Sequence, residues 1–430
     1  MPPKAWELAI FTLNIALIAG VGFSLFAGNE EKAVIAPLGH YELQYTYVRY
    51  AVLVVSAALA ARQMPTSWQS LFRPWPIWLA CLLVFASASW SIDSRVTIVN
   101  AGLLFLMVLF AIGTVSRFGL ASISRPMRII GWAIVMTNLL LLLQQPAFAY
   151  HQDANAGAFR GLFVHKNTLG QFGMCTIIAI APSFFQSRKT SRHMFDLVLV
   201  ALSLVTVAVS QSASGLVISV CALLYVLFLG FITRIALPYT VNVILIFLTF
   251  STLVLVMWLW QDAILGLINR DATLTGRTAL WEATWKAIRE RPILGFGFSA
   301  FWESEQGAEA RFGDTWIPSQ AHNGYMQSLL DGGPLLLALV LIHISLLLRH
   351  TVLHSLYRAS PGGVFVSAVS LSLPLYNMVE AVFIQVNSMP TLLLVAALPL
   401  TLSSTTAAAA ISGGFRPVSA THSLAVRAPP

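Results

Sequence analysis

The chain has 430 residues, 57% of them hydrophobic and 10% charged, with a formal net charge of +8. A soluble domain carries about 25% charged residues, so a mean hydropathy of +0.77 describes a surface suited mostly to lipid. The basic residues are dispersed and no basic run interleaves with aromatics, which excludes nucleic acid as the expected partner.

A spanning helix needs roughly 20 apolar residues. Continuous apolar runs at 8–28, 46–62, 76–90, 96–115, 129–148, 167–186, 195–210, 215–233, 239–260, 324–348, 363–384 and 389–408 predict an all-α polytopic membrane protein. These runs do not alternate as barrel strands would. The first is longer than the usual signal-peptide core and reads as a retained helix. On this reading residues 1–260 form transmembrane helices 1–9 and 261–322 a long extracytoplasmic loop. Residues 323–408 form helices 10–12, and 409–430 a cytoplasmic tail whose Ala-, Ser- and Gly-rich end is expected to be disordered. Cys81, Cys175 and Cys221 lie inside apolar runs and fit neither a disulfide framework nor a zinc motif.

Orientation follows from the basic residues. Twelve spans put both termini inside, and the inner loops then hold Arg62, Arg73, Arg117, Arg125, Arg128, Arg188, Lys189, Arg192, Arg234, Arg349 and Arg358. The short outer loops hold Lys32, Arg95, Arg160 and Lys166. This is the positive-inside pattern, and the long loop is exempt from it. Within that loop, Thr278–Glu290 reads as an amphipathic helix with Trp281, Trp285 and Ile288 on one face, stopped by Pro292. Phe296, Phe298, Phe301 and Trp302 read as an aromatic belt against the bilayer. Gly332-Gly333-Pro334 interrupts the next span, and a cavity under the outer loop is expected there.

The candidate chemistry gathers at the loop's end. His322, with Asn323 and Tyr325 beside it, has a side chain matched to proton transfer at neutral pH. Arg277 precedes the amphipathic helix, where a helix start and a forked cation together suit a pyrophosphate. Arg160, Lys166 and Asn167 form a cationic cluster in a short outer loop, against the orientation rule; anion binding explains it, and Asn167 as a helix cap is the competing explanation. His151, Asp153 and His165 match no metal-ligand spacing, so no metal site is expected. Arg49, Asp331 and Glu380 are ionisable groups within or at the edge of spans; Glu380 is placed to pair with a cation of the site, for structure or for catalysis. Arg291 is a further cation of the loop. Gly295 to Ala300 imitates a dinucleotide fingerprint without the strand it needs, and Ser212-Ala213-Ser214-Gly215 reads as a turn.

The ordered set Gly276-Arg277-Thr278, Trp281, Ile288, Arg291-Pro292-Ile293-Leu294-Gly295-Phe296-Gly297-Phe298, Phe301-Trp302, Ala321-His322-Asn323-Gly324-Tyr325 and Leu329 to Gly333 resembles the O-antigen ligase and polymerase (Wzy-type) family, in its exopolysaccharide-polymerase branch. Arg160-Gly161-Leu162-Phe163, His165-Lys166-Asn167, Leu169-Gly170 and the turn Ser89 to Asp93 also resemble that family's segments. The likeness spans most of residues 76–390. It implies a metal-independent glycosyltransferase of the bacterial inner membrane with its active loop in the periplasm and no cofactor. The implied donor is a glycan on undecaprenyl pyrophosphate and the implied acceptor a hydroxyl of another repeat unit; the residues themselves leave both anomeric outcomes open, and the resemblance suggests inversion. It also implies His322 as base and Arg160 and Arg277 on the pyrophosphate, with Lys166, Asn167, Arg291, Asn323, Tyr325, Glu380 and Arg49 in support. A chain-length regulator and export proteins are further expected partners. A ligase transferring to lipid A core or protein is the alternative, and a flippase for lipid-linked glycan the alternative of another class. Where many members carry Ser-Arg after the seventh span, this chain has Gln211-Ser212-Ala213, so another cation, Arg49 or Arg311, would take that role.

Overall fold

The computed structural model describes residues 3–22, 40–62, 72–151, 156–185, 190–235, 277–309, 318–355 and 360–412, with scattered positions between 238 and 251. The longer helices are α1 (Ala5–Ile18), α2 (His40–Ala61), α3 (Trp75–Ala86), α4 (Ser94–Phe118), α5 (Ala121–Gln144) and α6 (Lys166–Ile180). They continue with α7 (Thr190–Val209), α8 (Ala213–Ile235), α9 (Arg277–Glu290), α10 (Gly324–His350), α11 (Pro361–Tyr376) and α12 (Met389–Ser412). No strand occurs among the described residues, only an isolated bridge between Tyr150 and Phe159. Over its described residues the protein is thus all-α and membrane-type. Four of the described helices, α4, α5, α8 and α10, are long and apolar enough to cross a membrane. The ninth predicted span lies largely outside the described residues, as do 261–276 and 310–317 of the long loop, Arg311, Asp153 and the tail from 413.

Helix α6 sits at the centre, against α5, α7, α8, α11 and α12. From Phe172 to Ile180 every one of its residues is buried, as expected for a helix that is apolar all round. Small residues let α8 approach it: a Cβ on Gly215 would stand 2.7 Å from Gly170 Cα. At the other end of α7, Arg128 forms a forked pair with the buried Asp196, its Nε 2.6 Å from Oδ1 and its NH2 3.0 Å from Oδ2, and ties α5 to α7.

Several boundaries differ from the sequence reading. The first run ends its helix at Ile18, because the chain turns through Gly20 and Gly22, both at positive φ. The run 363–384 is helical only to Tyr376. There Asn377 Oδ1 accepts from the amides of Val382 and Phe383, and its carbonyl accepts from Gly324 N–H at 2.8 Å. Glu380 therefore lies in a loop and not in a span. The aromatic cluster is also not a lipid-facing belt. Phe296, Phe298, Phe301 and Trp302 are buried, three of them packing with Leu280, Ile288, Ala321 and Leu330. Trp285 points out of α9, whose buried face is Leu280, Thr284, Ala287 and Ile288. The exposed apolar tip is Ile293-Leu294.

The expected break in α10 is present at Gly332 and Gly333. Protein covers it. Phe296 N–H donates to the Leu330 carbonyl at 2.7 Å, and Gly333, at φ 67°, passes so close to the Ile293 carbonyl that a Cβ has no room. On its other side the 293–298 strand-like turn docks on the segment before α4: Ile92 N–H donates to Phe296 O, Phe298 N–H to Ser87 Oγ, and Thr97 Oγ1 to Phe298 O. The Ser87–Asp93 turn and the loop are one interlocked unit.

Candidate active site

His322 owes its position to its neighbours in sequence. Ala321 is fully buried, its carbonyl accepting from Trp281 Nε1 at 3.0 Å and its N–H donating to Gln327 Oε1 at 3.1 Å. Gln327 Oε1 also accepts from Trp302 Nε1, so α9, the aromatic cluster and α10 all fix this residue. His322 itself turns through φ 47°, a left-handed conformation that few residues besides glycine adopt, histidine more readily than most. Asn323 caps α10, its Oδ1 accepting from the amides of Tyr325 and Met326. Gly324 lies against Asn377, where a Cβ would collide with the amide.

The consequence is a convergence on one carboxylate. Glu380, 3% exposed, accepts at Oε1 from Arg277 NH2 (2.8 Å) and Asn167 Nδ2 (3.0 Å), and at Oε2 from Gln320 Nε2 (3.2 Å). His322 Nδ1 lies 2.9 Å from the same Oε2. Burial pushes the carboxyl up, but the bond from His322 and the charges of His322, Arg277 and His165 prevail, and it sits below the ordinary carboxylate range. It is an anion at neutral pH. With Nδ1–H donating to it, the His322 tautomer leaves Nε2 with a lone pair for a proton. One Arg277 N–H is used on Glu380, and a guanidinium has five. The side chains of His322 and Arg277 are 24% and 15% exposed, against 4% for Glu380, so solvent reaches the imidazole and the guanidinium but hardly the carboxylate.

The structure brings together Asn167, Arg277, His322 and Glu380, with Asn323 setting the backbone. The other candidates are held by other contacts. Tyr325 donates to the Pro374 carbonyl and ties α10 to α11. Arg291 lies over the Phe296 ring and donates to Trp90 O at 3.3 Å, stapling the docked loop. Arg49 stacks on Tyr50. Arg160 is 8% exposed and donates to the carbonyls of Phe148 and Val164. Lys166 is buried at the start of α6. The cap of α6 is His165, whose Nδ1 accepts from Asn167 N–H; the Asn167 side chain is thereby left for Glu380 and for Ser212, whose Oγ donates to it at 3.3 Å. His151 Nε2 accepts from Lys166 N–H, so His151 and His165 each spend a ring nitrogen on the backbone. Among the described residues no group of three His, Cys, Asp or Glu could hold a metal.

Sequence reasoning missed Gln320 and set Ser212 aside. Gln320 also accepts from Ala381 N–H, fastening the Glu380 loop to the His322 loop. Its only signal was a polar residue two positions before the histidine.

Residues 198–341 match the family described as O-Antigen ligase. Over 279 residues the chain is 28% identical to "Exopolysaccharide production protein ExoQ" of Rhizobium meliloti (strain 1021), which covers 61% of this chain. The match spans 60% of that relative's length. The family segment contains Ser212, Arg277 and His322, while Asn167 and Glu380 lie outside it.

Proposed function

We propose that the chain, whose residues 198–341 match the O-antigen ligase family, is a membrane glycosyltransferase that polymerises polysaccharide repeat units carried on undecaprenyl pyrophosphate. The observation that carries this reading is the His322–Glu380–Arg277 constellation: a base oriented by a buried carboxylate, with a forked cation on the same carboxylate. The name of the matched relative, which concerns exopolysaccharide production, supports the polymer as product.

In this reading His322 Nε2 takes the proton from the acceptor sugar hydroxyl as its oxygen attacks the anomeric carbon. The bond from that carbon to the pyrophosphate breaks, and its electron pair leaves with the lipid pyrophosphate. Glu380 orients the imidazole and balances the imidazolium that forms. Arg277 meets the charge growing on the leaving group, a role in which fixed cations in a dry site act strongly. Arg160 holds the carbonyls of Phe148 and Val164 and adds positive field. With cations supplying this stabilisation, turnover is expected to survive EDTA. Holding enzyme and lipid-linked donor in one membrane plane raises their effective concentration.

The test is reconstitution of purified protein with a lipid-linked repeat unit, comparing wild type with His322→Ala by gel ladder. A ladder from wild type that the variant loses supports the proposal. The family's description as a ligase keeps a second reading in view: transfer appearing only when a lipid A core acceptor is added would establish it. No transfer under either condition would move lipid-linked glycan transport to the front.

A further inference from the structure

Helix α10 begins at the His322 site and runs 27 residues to His350, about 40 Å at 1.5 Å per residue. At its far end lies a second feature, a cavity of about 430 Å³ walled by Arg73, Trp75, Arg349, His350, Leu353 and Thr401. Arg73 comes from the turn before α3 and Arg349 from the last turn of α10. Among the described residues neither forms an ion pair with a carboxylate. A cation in a last helical turn is favoured by the helix dipole, which accounts for Arg349 but not for a second arginine brought to the same space by another element. Burial, and then the charge of Arg349, hold Arg73 below the ordinary guanidinium value, so the pair repels and an anion between them would relieve it.

The rim identifies the kind of anion. Trp75 and Leu353 are each 41% exposed, an apolar lip beside a cationic hollow at the end of a membrane-type helix. A small soluble anion has no use for that lip, whereas a lipid places its headgroup phosphate in the hollow and its chains along the lip. Basic pockets between spanning helices suit such headgroups, and arginine forks fit phosphate oxygens. We propose that this cavity binds the phosphate of an anionic membrane lipid between Arg73 and Arg349, remote from the glycan site and independent of its chemistry.

Native mass spectrometry of the full chain in neutral detergent tests this, with phosphatidylglycerol, phosphatidylcholine or inorganic phosphate added to wild type and to the Arg73→Gln/Arg349→Gln double variant. Wild type is expected to retain one phosphatidylglycerol in preference to phosphatidylcholine. The double variant is expected to hold it about 30-fold more weakly, and the double Lys variant to recover most of the loss. Equal retention by wild type and the Gln variant overturns the site. Inorganic phosphate binding as readily as the lipid, and displacing it, overturns the lipid as the source of the anion. Should the double variant fail to purify, the wild-type preference between the two lipids and its loss in Arg349→Gln, an exposed helix-end change, decide by the same criteria.

Discussion

Glu380 is the residue on which the proposed chemistry turns, since it orients the base and anchors the cation at once. Glu380→Gln keeps the size and most of the hydrogen-bonding capacity but removes the charge that balances a protonated His322. General-base catalysis contributes about 10²–10⁴ in rate, and most of that is expected to vanish from single-turnover transfer in this variant while donor binding changes less. Unchanged turnover would make Glu380 a structural hub only. His151 carries a pH dependence of its own. Burial first, then the charges of His165, Arg160 and Lys166, depress it to about 3. It stays neutral in the folded protein and accepts from Lys166 N–H. Between its ordinary value near 6.5 and about 3, the unfolded chain binds a proton that the folded chain does not, so stability falls as pH drops through that window. Melting temperature in detergent is expected to decline from pH 7 to pH 5, and His151→Gln, which still offers an acceptor, to flatten that slope.

Among the elements, the break in α10 is the feature most exposed to a single substitution. Gly333 combines φ 67° with contact against the Ile293 carbonyl, so Gly333→Ala adds both strain and a clash. The variant is expected to lose about 1–3 kcal/mol and a corresponding part of its melting temperature, with the docked 293–298 loop the first to become protease-sensitive. Gly102, in α4 with nothing near its Cβ, is the control: Gly102→Ala should leave the melting temperature level or raise it. The same elements mark where sequence was readable. Apolar runs coincide with most of the described helices, and the Gly-Gly-Pro break was visible because two glycines and a proline in a row weaken a helix more than the single prolines that α5, α11 and α12 carry inside them. The aromatic cluster was misjudged because periodicity reports that a face is apolar, not whether lipid or protein covers it; Phe298 is buried by a turn over 200 residues away in sequence. The end of α11 was equally hidden, since neither the Asn377 side chain gathering the amides of Val382 and Phe383 nor the Gly324 N–H meeting its carbonyl shows in the hydropathy of the run. His322, Arg277 and Glu380 were each legible as out-of-place polar groups in an apolar chain, but their meeting was not, because it depends on how loops 103 and 58 residues apart fold onto one another.

Taken whole, the molecule has two chemically distinct ends, and helix connectivity assigns many of the described basic residues to one or the other. Ser87 and Thr97 touch the docked loop, so α3 ends and α4 begins at the His322 end. Ser212 reaches Asn167, which places the starts of α6 and α8 there too. The opposite end then holds Arg62, Arg73, Arg117, Arg125, Arg128 and Arg349, while the short connections at the His322 end hold Arg95, Arg160 and Lys166. The basic excess in short loops faces the cytoplasm, so the His322 site is expected outside and the cavity at Arg73 and Arg349 inside. Single cysteines decide the matter in a Cys221→Ser background, the other two native cysteines being buried. Ser319→Cys, exposed three residues before His322, is expected to react with a membrane-impermeant maleimide in cells whose outer membrane alone is opened. Ser360→Cys, capping α11 at the other end, is expected to react only after the inner membrane is lysed. The reverse pattern would put the His322 site on the cytoplasmic side, where a lipid-linked donor presented at the outer leaflet could not reach it, and the polymerase reading would fall with the topology.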